Sequence, residues 1–203
     1  PINFFDFETF QNAIPRFDKQ RPYMQIPFQY SLHIKHADGR LEHKEFLGDE
    51  NKDPREGIAV KMLSDITEEG SIVAFNKSFE MARIRELAGT CPEYRDELLA
   101  LLPRFVDLIV PFRSLGYYHP DFNGSFSIKS VLPAMFPDER ELSYKALNIQ
   151  NGGDASYIFS NLHLLKDKTK RDEIRADLLA YCRLDTLAMV KIFDKLSGVC
   201  VDF

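Results

Sequence analysis

The chain opens on Ile2-Asn3-Phe4-Phe5-Asp6-Phe7-Glu8, and its period-two alternation predicts a strand with Phe4, Asp6 and Glu8 on one face and Phe5 and Phe7 on the other. Tyr23 to Lys35 is rich in aromatic and β-branched residues and reads as a second strand. Asp38-Gly39 then turns the chain into a third, Leu41 to Phe46. From Asp53 to Ile66 the apolar positions Ile58, Met62, Leu63 and Ile66 recur at helical spacing, and Gly70 punctuates the end. Ser71 to Phe75 is a short continuous apolar run, as expected of a strand covered on both faces. Asn76 stands where it would cap a following helix that runs to about Ala88.

Further on, Pro92 to Leu102 predicts a helix with Pro92 in its first turn, and Phe105 to Pro111 reads either as a strand or as a short helix. Gly116 to Ser127 is a long loop, Ser127 to Met135 a short helix, and Gly152-Gly153-Asp154 a break before a helix from Ala155 to Leu165. The last element, Asp172 to Leu196, is a long amphipathic helix that turns Ile174, Leu178, Tyr181, Cys182 and Met189 inward and ends at Gly198. Strands first, then strands alternating with helices, predict an α/β fold: a mixed sheet with an antiparallel three-strand start and flanking helices. The length of 203 residues suits a single domain over residues 1–203, expected to be excised from a longer chain with additional domains because a strand begins directly after Pro1.

Composition narrows the picture. Apolar residues make up 44% and charged residues 28%, both spread along the chain as in folded proteins, and no apolar run is long enough to cross a bilayer. Cys91, Cys182 and Cys200 are odd in number and lack a Cys-x-x-Cys pair, which argues against a disulfide scaffold or a zinc ribbon; a reducing cytoplasm is the expected compartment. His33, His36, His43, His119 and His163 show no metal-ligand spacing and are expected on the surface. P-loop, dinucleotide-binding, His-Glu-x-x-His and Gly-x-Ser-x-Gly motifs are absent. A net charge of −5 disfavours a phosphate-backbone partner unless acids are gathered around divalent cations that present positive charge to it.

Acids at rigid positions are therefore the candidates. Metal-dependent phosphodiester hydrolysis needs carboxylates from separate elements converging on ions about 3.5–4 Å apart. Asp6 and Glu8 share one face of an apolar strand, where acids should be paired or metal-bound; on an edge strand they would simply face solvent. Glu80 follows Val73-Ala74-Phe75-Asn76-Lys77-Ser78-Phe79 and falls in the first turn of a helix, where an acid also suits the helix dipole. Tyr181 and Asp185 lie four residues apart and share a helix face; Asp185 would otherwise pair with Arg183 or Lys191.

Together, Asp-x-Glu on the first strand, Asn-x-x-Phe-Glu after a middle strand and Tyr-x-x-x-Asp on the last helix resemble the three motifs of the DEDD exonuclease superfamily, whose fold is RNase H-like. The segments Phe4 to Phe10, Pro22 to Ser31 and Tyr181 to Val190 more closely resemble a bacterial family of uncharacterised function assigned to that fold. The resemblance implies a 3′→5′ exonuclease acting on the single-stranded 3′ end of DNA or RNA with two divalent metal ions, Mg2+ or Mn2+. Asp6 would bridge both ions, Glu8 and Asp185 would complete the water-activating site, and Glu80 would hold the second ion. Tyr181 would orient the attacking water, as in the tyrosine subclass. The histidine subclass places its base five residues before the final Asp, and that position is Ala180. Thr9, Phe10, Asn76 and Lys129 are implied substrate contacts, with Lys129 either reaching a phosphate or simply solvated, and Asp107 is implied to lie near the site or to be structural. Phe10 and the Tyr117 to Phe122 loop are the aromatic groups that could stack on terminal bases, the alternative being core or loop packing. The pattern usually ends its second motif in Asp, whereas Glu80 is one methylene longer, which implies slower or manganese-preferring activity. The rival expectation is a catalytically weakened module of the same fold that binds nucleic acid or protein.

Overall fold

The computed structural model describes the backbone of residues 1–201 and the side chains of residues 1–199; the thiol of Cys200 lies outside them. β1 (Ile2–Phe10) runs antiparallel to β2 (Ile26–Lys35), and β2 to β3 (Leu41–Leu47). After α1 (Arg55–Asp65) the chain returns as β4 (Ser71–Ala74), parallel to β1. Helices α2 (Ser78–Thr90) and α3 (Arg95–Leu101) lead to β5 (Phe105–Asp107), parallel to β4. The five strands lie in the order β3-β2-β1-β4-β5. The chain is thus α/β with a mixed sheet that begins as three antiparallel strands. Then come α4 (Val110–Arg113), α5 (Ile128–Met135), α6 (Gly152–Leu162) and α7 (Lys168–Val201). Among the described residues no helix is long and apolar enough to cross a membrane.

The alternation of β1 sorts the core. Phe5 and Phe7 pack with Tyr30, Leu32, Ile58, Met62 and Ile84 under α1 to α3. Phe4 and Phe10 pack with Phe28, Phe159, Leu178 and Met189 under α5 to α7. Helix α7 is fixed across β1 and β2 by the Gln29 amide, which donates to the Leu178 carbonyl at 2.8 Å, and by Thr186, whose hydroxyl meets Ser31 at 2.7 Å.

Several expectations are corrected. The second strand starts at Ile26, because Tyr23 has a φ of 57° and belongs to a turn. Phe105 to Pro111 contains both alternatives, the strand β5 and the start of α4. Asn76 does not cap α2: it takes a left-handed φ of 76°, and the helix starts two residues later. Gly152 and Gly153 are not a break but the first turn of α6, capped by Asn151, whose side chain accepts from the Asp154 N–H at 2.9 Å; the helix ends at Leu162. Gly198 does not stop α7, which continues to Val201. The histidines are not uniformly superficial. His33 and His43, paired across β2 and β3, are covered by α7, with His33 Nδ1 2.8 Å from Thr186 Oγ1 and His43 Nε2 3.0 Å from Ser31 Oγ. Burial lowers their pKa values to about 3 and about 4, so both rings are neutral near pH 7.

Candidate metal centre

Asp6 and Glu8 project from β1 beyond the last residue that pairs with β4, so they lie on the sheet face under α7 where the neighbouring parallel strand has ended. Asp185 comes down from α7. Carboxylate oxygens of Asp6, Glu8 and Asp185 lie within 4.8 Å of one another. Glu80 enters from the first turn of α2 and lines the same cavity of about 930 Å³. Its Oε2 is buried and finds no hydrogen-bond partner among the described residues. A buried, unpartnered carboxylate oxygen costs free energy unless a cation or a proton occupies it.

The electrostatics follow from this crowding. Desolvation first, and then the charges of Asp185, Glu80 and Glu8, hold the Asp6 carboxyl well above the usual carboxylate range. Glu8 is raised by the same burial and by Asp185. Burial lifts Glu80 to about 8, with Asp107 adding to the rise. Asp185 reaches only about 6, because hydrogen bonding from Tyr144 and the charge of Lys129 counteract its burial. Four acids that resist ionising together make a site that gains from divalent cations.

A carboxyl whose folded-state pKa exceeds its unfolded value binds its proton more tightly in the fold. Its stabilising contribution is complete below the unfolded value and is lost as pH rises through the folded one. For Asp185 at about 6 and Glu80 at about 8 that loss falls between about pH 4 and 8. The two depressed histidines act oppositely, but only below their unfolded value of 6.5. With chelator present, Tm is therefore expected to fall by several degrees between about pH 6.5 and 8, and Mn2+ should cancel the fall. A Tm flat with pH in chelator, measured by calorimetry, would contradict the assignment.

Around the acids the chain supplies neutral groups and one cation. The Lys129 ammonium, carried by α5, donates to the Tyr181 hydroxyl at 3.0 Å and to the Gln150 carbonyl at 2.9 Å, and lies over the Tyr144 and Tyr181 rings. It is anchored in the site rather than solvated. Asp107 Oδ1 accepts from the backbone N–H of Asn76 at 2.9 Å and of Ile109 at 3.2 Å. That fixes the left-handed turn from which α2 and Glu80 depart, so Asp107 shapes the site from outside the acid cluster. The Asn76 side chain lines the cavity and accepts from the Ser78 hydroxyl at 2.9 Å. Thr9 also lines it, after the β-bulge at Glu8/Thr9. Gly152 lies beside Glu8: a β-carbon there would be in ordinary van der Waals contact, 3.4 Å, with a Glu8 carboxylate oxygen.

Two aromatic expectations fail. Phe10 is fully buried among Phe17, Phe28 and Phe159 and cannot stack on a base. In the Tyr117 to Phe122 loop, Phe122 packs on Phe112 in the core, and the loop does not line the cavity.

Tyr144 also reaches the acid cluster, at a position the sequence pattern does not mark. Its hydroxyl donates to Asp185 Oδ1 at 2.6 Å, both groups being buried. It sits in a short helical turn, Tyr144–Ala146, within an irregular segment that gives no periodic signal. If Asp185 ligates a metal, this hydrogen bond would orient it, and losing such a partner typically weakens metal binding about 10–100-fold. Tyr144→Phe is expected to lower Mn2+ affinity about tenfold by calorimetry while the ring stays packed; unchanged affinity would remove Tyr144 from the centre.

The family described as "Domain of unknown function (DUF2779)" matches residues 3–127. An uncharacterized protein of Mycoplasma genitalium is 28% identical over 207 residues, covering 93% of this chain and 31% of the relative. A homologue in Mycoplasma pneumoniae is 30% identical over 207 residues with the same coverage, and an uncharacterized protein of Ureaplasma parvum is 30% identical over 219 residues, covering 93% and 30%. The chain spans about a third of the length of these curated relatives. No solved structure matches it.

Proposed function

We propose that this chain, which belongs to the DUF2779 family, is a metal-dependent 3′→5′ exonuclease of DEDD type built on an RNase H-like sheet. The observation that carries the reading is the convergence of Asp6, Glu8 and Asp185 carboxylates within 4.8 Å from two separate elements, with the unpartnered Glu80 oxygen on the same cavity. The donor set fits hard divalent cations: all four groups are carboxylates, no thiolate or imidazole is among them, and their mutual repulsion is what a cation relieves. Asp6, Glu8 and Asp185 would hold one ion, and Asp6 with Glu80 a second.

When bound, Mg2+ or Mn2+ supplies Lewis acidity that activates a water and stabilises the leaving oxygen. The chain's own residues do the positioning. Tyr144 holds Asp185 in one orientation through its hydroxyl. Tyr181 faces Asp185 and Glu8, whose charges, after burial, raise its phenol; it keeps its proton and orients water by hydrogen bonding rather than abstracting a proton as phenolate. Lys129 fixes the Tyr181 hydroxyl. The buried free thiols of Cys91 and Cys182 suit the reducing cytoplasm we propose as its compartment.

The test is incubation of labelled linear and circular single strands, DNA and RNA, with either metal. An exonuclease shortens linear strands stepwise from the 3′ end and spares circles. Cleavage of circles would indicate an endonuclease on the same site, and inertness on every substrate would reject hydrolysis and favour the interaction module.

A further inference from the structure

The cavity around the acids is almost without positive charge. Of its lining groups among the described residues only Lys129 is cationic, and its ammonium is already committed to Tyr181 and Gln150. Of the cations near the lining in sequence, Arg16 donates to the carbonyls of Glu50 and Ser160, Lys77 to the carbonyl of Phe105, and Arg83 to Gln25 and Glu86, while the exposed Arg183, two residues from Tyr181 and from Asp185, is not part of the lining. What the cavity offers instead is neutral. Gln11 and Asn12 follow β1, while α6 presents Gly153, Tyr157, Ser160 and Asn161 at helical spacing. Tyr157 is 73% exposed and Ile14 81% exposed, yet both line this cavity. Large exposed apolar groups beside small and amide side chains suit a planar heterocycle, with stacking on Tyr157 and edge hydrogen bonds from the amides.

We infer that the substrate is a short single-stranded oligonucleotide, held by its terminal nucleotide through Tyr157 and the neutral lining rather than by a track of phosphate contacts. This rests on the nuclease reading above. The physical consequence is a shallow dependence on salt and on length. A protein making many phosphate contacts loses about 10³–10⁵ in affinity between about 50 and 200 mM salt, whereas one contact on a single strand predicts roughly a threefold loss.

Steady-state hydrolysis of a trinucleotide and of a strand of about twenty nucleotides, with Mn2+ at both salt concentrations, tests the inference. KM is expected to agree within about threefold between the lengths, and kcat/KM to fall about threefold with salt. Tyr157→Ala, a change at an exposed position, should lower kcat/KM about tenfold on both lengths. A KM for the long strand tens of times lower, with a steep salt slope, would overturn the inference and indicate a basic track elsewhere on the surface. If neither strand is hydrolysed, the nuclease reading fails, and calorimetric binding of the same two strands still decides the inference. Similar affinities weakened by Tyr157→Ala uphold it; absence of trinucleotide binding overturns it.

Discussion

Alanine at Asp6 is expected to lower hydrolysis of a single strand by about a thousandfold or more, a loss of about 4 kcal/mol of transition-state stabilisation. Asp6 is the carboxylate whose surroundings include all the others: Asp185, Glu80 and Glu8 each raise its pKa, and it would belong to both ions. The same substitution should not unfold the protein. Removing one of four mutually repelling acids relieves the ion-free fold, so Tm in chelator should rise or stay level while activity collapses. Lost activity together with a large fall in Tm would indicate a structural role for Asp6.

The second large effect is expected at Tyr181. Phenylalanine keeps the ring, which is 3% exposed and packs 6.1 Å from Tyr144, and removes only the hydroxyl. Misplacing a reacting water by about an ångström can cost about a hundredfold, and Tyr181→Phe should cost about that much in kcat. Manganese affinity should change by no more than a few-fold, because Asp6, Glu8 and Asp185 remain in place. That contrast separates Tyr181 from Tyr144, whose substitution is expected to act on the metal. A Tyr181→Phe variant with full kcat would leave the phenol as packing and remove the tyrosine subclass from the account.

How far these residues were legible from the sequence depends on the range of the forces that place them. Asp6 and Glu8 were legible because strand alternation is local: once Phe5 and Phe7 face one layer, the acids must face the other. Tyr181 and Asp185 were legible for the same reason in a helix, where a separation of four residues keeps them on one stripe. Glu80 was placed correctly in its first helical turn, although the cap assigned to Asn76 was wrong. The conformation of Asn76 is imposed by Asp107, 31 residues later, which captures its N–H, and no local pattern announces that bond. The Gly152-Gly153 pair looked like punctuation; it forms the first turn of α6 beside Glu8, a contact between segments distant in sequence.

Phe10 shows a further limit. Alternation puts it on the same face as Asp6 and Glu8, but α6 lays Phe159 against it and closes that end of the face. The histidines of β2 and β3 were misjudged likewise: a hairpin pattern shows which residues share a face, not which face α7 will cover. Lys129 was found as a candidate from its neighbours in sequence, yet its anchoring between Tyr181 and Gln150 needed α5, α7 and the segment before α6 to be in place together.

Manganese titration of the chelator-stripped protein by calorimetry tests the centre most directly. With Asp6, Glu8, Glu80 and Asp185 as its ligands, binding should saturate at about two ions per chain, release protons near neutral pH, and be lost in Asp6→Ala. No binding at millimolar Mn2+, or binding unaffected by Asp6→Ala, would contradict the account.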